Sequence, residues 1–320
     1  MARVICAAGG TADDIVQIAF GYGLFTGGFG LHYGMEKIGA MVVPLSSGNT
    51  DRQIMLMQDF QSTILIATPS YALYLADEIE KNGIDKDSIK LRLALFGGEG
   101  HTEEMRAKIE KQLGILATEN YGLSEIGGPG YSGECYLKRG LHIAEDQFIS
   151  EIIDPDTLEP LPIGDQGELV VTTLTKEAFP MLRYRTRDIT WLNDEPCECG
   201  RTSMRMHKVQ GRTDDMMVIR GVNVFPSQIE SVIMAMNEIE PFYEIIVTTE
   251  DYLDRIEVRV EFSDASLLDD YNKLEQLRAK IRHNIKSVLN IDAKITLVTP
   301  GTLPRYEGKG KKVIDKRTHK

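Results

Sequence analysis

A chain of 320 residues with a formal net charge of −12 is long enough for two cores, and its acidity argues against nucleic acid or an anionic membrane as the main partner. Its 42% apolar content is that of a globular protein, and no apolar run approaches the ~20 residues that span a bilayer. Four unevenly spaced cysteines are not a secreted disulfide framework, and the apolar stretch in MARVICAAGG is too short for a signal peptide, so the cytoplasm is the expected compartment.

Up to residue 210, short apolar runs alternate with helical patterns. Strands are expected at Ile15–Phe20, Met41–Val43, Thr63–Ala67, Leu91–Phe96 and Ile115–Ala117, and helices at Ser70–Lys81 and Thr102–Leu113. The second helix opens on Thr102 with Glu103 and Glu104 in its first turn, as a helix start should. This alternation predicts an α/β body with a mostly parallel sheet covered on both faces. After Leu141, Asp-Pro-Asp and Pro-Ile-Gly-Asp turns separate strands at Phe148–Ile153, Gly167–Leu174 and Asp188–Leu192, so a β-rich subdomain over 141–210 is appended to the body.

Gly211 and the polar run Arg212-Thr213-Asp214-Asp215 then make a tight joint, although an ordinary surface turn has the same composition. Met216–Ile219 has strand length, Gly221–Asn223 breaks it, and Pro226 opens a helix with Ile229, Val232, Ile233 and Met236 at helical spacing. Further on, Ile256, Val258, Val260 and Phe262 alternate with charges, Leu274, Leu277, Ile281, Ile285 and Val288 form one helical stripe, and Ile295 and Leu297 begin a last strand. The expected division is a body over 1–211 and a small, mobile α+β C-terminal domain over 212–320, hinged near Asp214.

Candidate sites lie where glycine-rich turns follow strands, since ligands of open parallel sheets bind beyond the carboxyl ends of strands. YGLFTGGFG, Tyr22–Gly30, would let a ligand approach the backbone, with Tyr22 and Phe25 as apolar walls, or it is a loop packed on the core. SSGNT, Ser46–Thr50, lacks the Gly-Lys-Ser/Thr ending of a phosphate loop and reads as a structural helix start capped by Asn49 or Thr50. FGGEG, Phe96–Gly100, and NYGLSEIGG, Asn120–Gly128, are the next such turns. In the second, Ser124 can donate to a phosphate, Glu125 is a hard oxygen ligand suited to Mg²⁺, and Tyr121 offers a flat face to a base. YRTRD, Tyr184–Asp188, is a charged segment between strands: Asp188 can accept two ribose hydroxyls, or Arg–Asp pairs hold a solvated turn. In PRYEGKGKKV, Pro304–Val313, Lys309 sits between two glycines and can present a mobile cation, though a basic tail would read the same way.

Taken in order, NYGLSE, YRTRD, GRTDDMMVIRG and PRYEGKGKKV resemble the signatures of the adenylate-forming acyl-CoA ligase superfamily, and the fuller segments YGLFTGG, RYRTRD and GRTDDMMVIRGVNVFPSQIE resemble the phenylacetate–CoA ligase family. The resemblance implies a two-step reaction. A carboxylate attacks the α-phosphate of ATP, and the CoA thiol then displaces AMP. Two like unit charges at 4 Å repel by about 4 kcal/mol at an effective dielectric near 20, so a cation must stand between the carboxylate and the phosphates. It also implies roles: Glu125 on Mg²⁺, Ser124 on the α-phosphate, Gly98, Glu99 and Tyr121 around adenine, Asp188 with Arg212 on the ribose, Tyr22 and Phe25 on an aryl acid, Lys309 as the adenylation lysine, Asp214 as hinge, and Gly221 beside the pantetheine arm.

Nothing before Tyr22 matches the phosphate loop of that superfamily, and Gly9-Gly10 reads as a helix end followed by a turn. This leaves room for a separate N-terminal chain or a homodimer as partner. It also keeps two other readings open: a non-catalytic nucleotide- or partner-binding fragment, and an adenylyltransferase of the F390 synthetase type.

Cys197 and Cys199 form a C-x-C pair in PCECGRT, and Cys135 and His142 lie in GECYLKRGLH. If the fold brings these segments together, they make a Cys₃His set suited to structural Zn²⁺; otherwise they are unliganded thiols. Cys6 has no partner in sequence and is expected to be buried.

Overall fold

The computed structural model describes residues 1–23, 26–219, 222–250, 253–264, 270–305 and 312–317. The chain divides into two compact units, with the boundary between Thr213 and Asp214.

In the first unit, α1 (Ala2–Ala8) ends at Gly9, which adopts φ 106°, a left-handed cap that favours glycine. There follow β1 (Ile15–Ile18), α2 (Thr26–Ile38), β2 (Met41–Val43), α3 (Thr50–Asp59), β3 (Ile64–Ala67), α4 (Pro69–Lys81), β4 (Leu93–Phe96), α5 (Glu103–Leu113) and β5 (Leu116–Leu123). Every residue of β3 and β4 is buried, as expected of strands covered on both faces. Thr68 caps α4 by accepting from the Tyr71 N–H at 3.3 Å, Pro69 fills the first helical position, and Thr102 caps α5 on Met105 at 3.2 Å. Asn49 occupies the N-cap of α3 at φ 54° but makes no side-chain capping bond there.

Strands β2, β1, β3, β4 and β5 pair in parallel in that spatial order. The sheet then turns antiparallel through β6 (Gly128–Glu134) and β7 (Leu141–Ile143). Next in the chain, β8 (Phe148–Ile153), β9 (Gly167–Thr173) and β10 (Tyr184–Thr190) form a second sheet with β13 (Gly211–Arg212), in the order β13-β10-β9-β8. Strands β11 (Leu192–Asn193) and β12 (Arg205–Met206) return to β7 and complete a nine-stranded sheet of mixed direction.

Two segments expected as turns are strands. Asn120–Leu123 continue β5, because β6 folds back and supplies a new pairing edge. YRTRD lies within β10, where Thr186, Asp188 and Thr190 point inward. Their polarity is met by hydrogen bonds: the Thr186 hydroxyl donates to the Leu169 carbonyl at 2.8 Å, and the Thr190 hydroxyl to that of His207 at 2.8 Å. Cys6, expected to be buried, is exposed on α1; Ala7 and Ala8 supply the buried face there.

The second unit contains a hairpin of β14 (Met217–Ile219) and β15 (Val222–Val224), then α6 (Pro226–Met234), β16 (Ile239–Glu250), β17 (Leu253–Phe262), α7 (Tyr271–Leu289), β18 (Ala293–Val298) and β19 (Val313–Asp315). Its main sheet runs β18-β17-β16-β19. Leu277, Ile281, Ile285 and Leu289 of α7 are buried in the core shared with Ile245, Val247, Val258 and Val260. Val288, expected in the stripe, is exposed, and Leu289 takes the inward position one residue on. Strand β19 was not expected: Val313 and Ile314 pair with Ile245 and Ile246 directly after the basic stretch. Among the described residues, no helix is long and apolar enough to cross a membrane.

Candidate functional site

In the parallel part of the sheet, β1 lies between β2 and β3, so the chain reverses its direction of advance there, and beyond the carboxyl ends of such strands lies the usual ligand crevice. Tyr22 follows β1. Its hydroxyl hydrogen-bonds His32 Nδ1 at 3.0 Å, and its ring meets Phe29 edge-on at 5.2 Å. His32 in turn lies 3.3 Å from the Glu36 carboxylate. Burial, helped by the Glu36 charge, pushes the Tyr22 phenol up to about 12, so the side chain stays neutral. Phe25, expected opposite Tyr22, lies outside the described residues.

Gly98 and Glu99 follow β4. Gly98 has φ 84°, and the Glu99 carboxylate accepts from the Ser70 N–H at 2.7 Å, in the first turn of α4. The acid therefore serves a helix N-terminus, and what this turn offers a ligand besides is backbone.

Tyr121, Asp188 and Arg212 come together from three strands. Asp188 is 4% exposed; one carboxylate oxygen accepts the Tyr121 hydroxyl, and the other lies 3.2 Å from Arg212 Nη1. The register explains the meeting, since Asp188 of β10 stands opposite Arg212 of β13. Burial, with the Asp188 carboxylate second, holds the Tyr121 phenol well above its ordinary range, so it acts as a neutral donor. The glycine after Tyr121 is dictated by contact: a Cβ on Gly122 would stand 2.2 Å from the Gly128 carbonyl oxygen.

Ser124 and Glu125 sit in the single 3₁₀ turn that ends β5, both exposed. The Ser124 hydroxyl is 3.2 Å from that of Thr26, at the start of α2. The Glu125 carbonyl accepts from Lys176 Nζ at 2.5 Å, and burial, with the Glu125 charge second, raises the Tyr184 phenol. Thr26, Lys176 and Tyr184 were not singled out from sequence. Thr26 and Tyr184 fall inside quoted motifs, but Lys176 gave no local signal, because a turn before a strand is an ordinary place for lysine. Asp214 is an exposed turn residue at the head of the second unit. Gly221 and Lys309 lie outside the described residues.

The donor atoms of Cys135, His142, Cys197 and Cys199 all lie within 4.8 Å of one another. The pairing of β12 with β7 sets Arg205 opposite His142 and so returns the 197–199 segment to the 135–142 segment. Cys135 Sγ is 4.0 Å from Cys197 Sγ, and Cys199 Sγ is 3.4 Å from His142 Nε2. A tetrahedron with Zn–S bonds of about 2.3 Å has edges of about 3.8 Å, so the set fits Zn²⁺ with little adjustment. His142 Nδ1 is 3.2 Å from the Ser203 hydroxyl, which leaves Nε2 facing the thiols. Burial pushes the Cys135 thiol up to about 11. Burial also acts upward on Cys199, but bonds from the Arg201 backbone and side chain outweigh it and bring the thiol down to about 7. Burial first, then Arg201 and Arg205, lowers His142 and keeps its imidazole neutral, the form a metal ligand needs.

The AMP-binding enzyme family matches residues 7–175, and the AMP-binding enzyme C-terminal domain matches residues 221–317. Fold and site thus define an adenylate-forming enzyme. The solved structure of 2-hydroxyisobutyryl-CoA ligase in the postadenylation state, in complex with R3-HIB-AMP, superposes with a TM-score of 0.92 at 27% identity, over 98% of this chain and 68% of that one. Phenylacetate-coenzyme A ligase of Thermus thermophilus is 47% identical over 99% of this chain and 74% of its own length, and that of Escherichia coli is 46% identical over 99% and 72%. The chain belongs to the phenylacetate–CoA ligase family of AMP-forming acid–thiol ligases, whose small-molecule partners are ATP, the acid and CoA.

Proposed function

We propose that the protein activates an aryl acid of the phenylacetate type to its acyl-AMP and then to the CoA thioester, in the cytoplasm. The observation that carries this reading is the meeting of Tyr121, Asp188 and Arg212 one short turn from Ser124 and Glu125. Asp188, held by a neutral phenol and a guanidinium, accepts the ribose hydroxyls, and the Tyr121 ring and the Gly98–Glu99 backbone border the adenine. Ser124, paired with Thr26, donates to the α-phosphate. The exposed Glu125 carboxylate, a hard oxygen donor, would hold Mg²⁺, which supplies charge neutralisation at the phosphates. Tyr22, kept neutral and oriented by His32, walls the acid pocket.

Lys309 supplies the positive charge between carboxylate and phosphate in the first half-reaction. In the second, the C-terminal domain turns about Asp214, withdrawing Lys309 and presenting the Gly221 segment to the pantetheine arm; the proposed domains are thus 1–211, with 141–210 as its β-rich part, and 212–320. Cys135, His142, Cys197 and Cys199 would hold a structural Zn²⁺ that cross-links the segments leading into β7 and β12. Its four protein donors leave no open position for chemistry.

The test measures pyrophosphate release with phenylacetate and ATP, with and without CoA. Wild type should release pyrophosphate in both cases. Lys309→Ala should lose acyl-AMP formation while still making thioester from supplied phenylacetyl-AMP and CoA. Equal loss of both halves would refute the role of Lys309, and no pyrophosphate release from the intact wild-type enzyme with any aryl acid would refute the substrate class.

A further inference from the structure

Strands β9 and β10 are joined by residues 174–183, and this connection is tied at both feet. The Leu174 N–H donates to the Gln147 carbonyl at 2.9 Å, and the Thr175 hydroxyl to the Gln147 side-chain oxygen at 2.6 Å. On the return, the Met181 N–H reaches the Thr173 hydroxyl at 2.9 Å, and the Arg183 N–H reaches that of Thr172 at 2.9 Å. Between the feet, Phe179 holds φ 56° although it is 76% exposed, so burial gives no reason for a left-handed backbone at this bulky residue. Its ring centre lies 5.8 Å from Lys176 Nζ. The Lys176 side chain is half-buried, and its ammonium lies 2.5 Å from the Glu125 carbonyl oxygen.

That carbonyl does not need a lysine. Ser124 and Glu125 are exposed, so water can satisfy it. The turn is also fixed already, by the buried Ile126 and by the Gly127 N–H on the Ser124 carbonyl at 3.2 Å. Among the described residues, the contacts of the Lys176 ammonium are this carbonyl and the Phe179 ring, in a chain with 48 acidic residues. A cation held on a neutral oxygen keeps its full charge and two further N–H donors. Strained backbone persists where the surrounding structure over-determines it, and it gathers at ligand clamps. From Tyr121 through Ser124 to Glu125, the chain runs from the nucleoside end of the proposed site to its phosphate end, and Lys176 stands on the last of these residues.

We propose that Lys176 binds the β- and γ-phosphates of ATP and holds the charge of the departing pyrophosphate. When the carboxylate oxygen bonds to the α-phosphorus, the bond from that phosphorus to the bridging oxygen breaks. Its electron pair leaves on pyrophosphate, and a fixed ammonium beside that anion stabilises it without reorganisation. AMP and acyl-AMP carry no such phosphates, so their binding does not depend on this charge. The proposal rests on the reading of the Ser124–Glu125 turn as the phosphate end of the nucleotide site.

The test measures equilibrium binding of ATP, pyrophosphate and AMP to the intact enzyme, alongside thioester formation from supplied phenylacetyl-AMP and CoA. Three variants separate charge from anchoring. Lys176→Met removes both, Lys176→Gln keeps an N–H donor for the Glu125 carbonyl without the charge, and Lys176→Arg keeps the charge. The Met and Gln variants should weaken ATP and pyrophosphate about tenfold to a hundredfold, the range for a hydrogen bond to a charged group. AMP binding and thioester formation should stay close to wild type, and the Arg variant should retain most of the ATP affinity. If AMP weakens as much as ATP, or if Lys176→Gln binds ATP as wild type does, the lysine only anchors the turn and the proposal is overturned. Unchanged ATP and pyrophosphate binding in Lys176→Met overturns it as well. Should Lys176→Met fail to fold, the Gln and Arg variants decide the matter. A wild-type enzyme that binds neither ATP nor AMP refutes the nucleotide reading itself, and this proposal with it.

Discussion

Replacing Glu119 by glutamine probes the charge network behind β5. Glu119 lies on β5, two residues before Tyr121, and is buried beside Lys208, whose Nζ is 3.4 Å from its carboxylate. Its own N–H donates to Glu134 at 2.8 Å, and Glu134 is paired with Arg106 at 2.7 Å. Burial outweighs the attraction of Lys208, and Glu134 adds repulsion, so the Glu119 carboxyl is pushed up to about 7. An acid raised in the folded state is protonated there while already ionised in the unfolded chain. Its contribution to stability is fully present below the unfolded value near 4.5 and is lost as pH rises through about 7. A gap of roughly 2.5 units corresponds to about 3 kcal/mol. Glutamine has no proton to lose. Denaturant unfolding of wild type and Glu119→Gln should therefore show the balance moving in favour of the variant by about 2–3 kcal/mol from about pH 5 to about pH 8. If the difference between the two proteins stays constant across that range to within about 0.5 kcal/mol, the carboxylate is ionised throughout, the Lys208 pair dominates, and the account of a burial-controlled acid is wrong.

Tyr121→Phe removes the phenol that donates to Asp188 and should cost about 1.5–3 kcal/mol in unfolding free energy, while raising the KM for ATP and leaving that for the acid alone; unchanged KM for ATP in steady-state assays would separate Asp188 from the ribose. Metal analysis of the purified protein should find about one zinc per chain, and Cys197→Ser or chelation should lower the melting temperature without changing the thioester half-reaction per folded molecule. Zinc well below half an equivalent, with a full thiol titre, would leave four unliganded side chains at the Cys–His cluster.

What the sequence made legible was whatever is settled within a dozen residues. The runs TILIA and LALF read as buried strands because covered parallel strands need apolar residues on both faces, and Thr102 with Glu103 and Glu104 announced a helix because capping is local. The segments that misled are those whose state is decided by a distant partner. YRTRD has the composition of a turn, yet β9 and β13 supply the bonds that let Thr186 and Asp188 face inward, and no local pattern encodes those partners. Val313–Asp315 sat behind a run of glycines and lysines and reads as a tail until β16 offers an edge.

The same division runs through the site. Ser124, Glu125, Asp188 and Arg212 stood out because the ordered motifs that hold them resemble those of a known family, whereas Thr26 and Lys176 are ordinary residues that matter only through what they touch. The cysteine–histidine set lies between these cases. Its C-x-C half was visible at once, but its closure depends on β12 lying against β7, a pairing of two residues on one side and three on the other that carries no periodic signature. That dependence also works in reverse. A four-donor cross-link between 135–142 and 197–199 would hold a short, weakly specified strand pair in register, as the Arg205 side chain does by donating to the Arg139 carbonyl at 2.6 Å and the Glu195 carbonyl at 2.9 Å. The segment so fixed runs on through Lys208, which meets Glu119 behind Tyr121, to Arg212, which meets Asp188. The Cys–His cluster can thus bear on how Tyr121 and Asp188 are held.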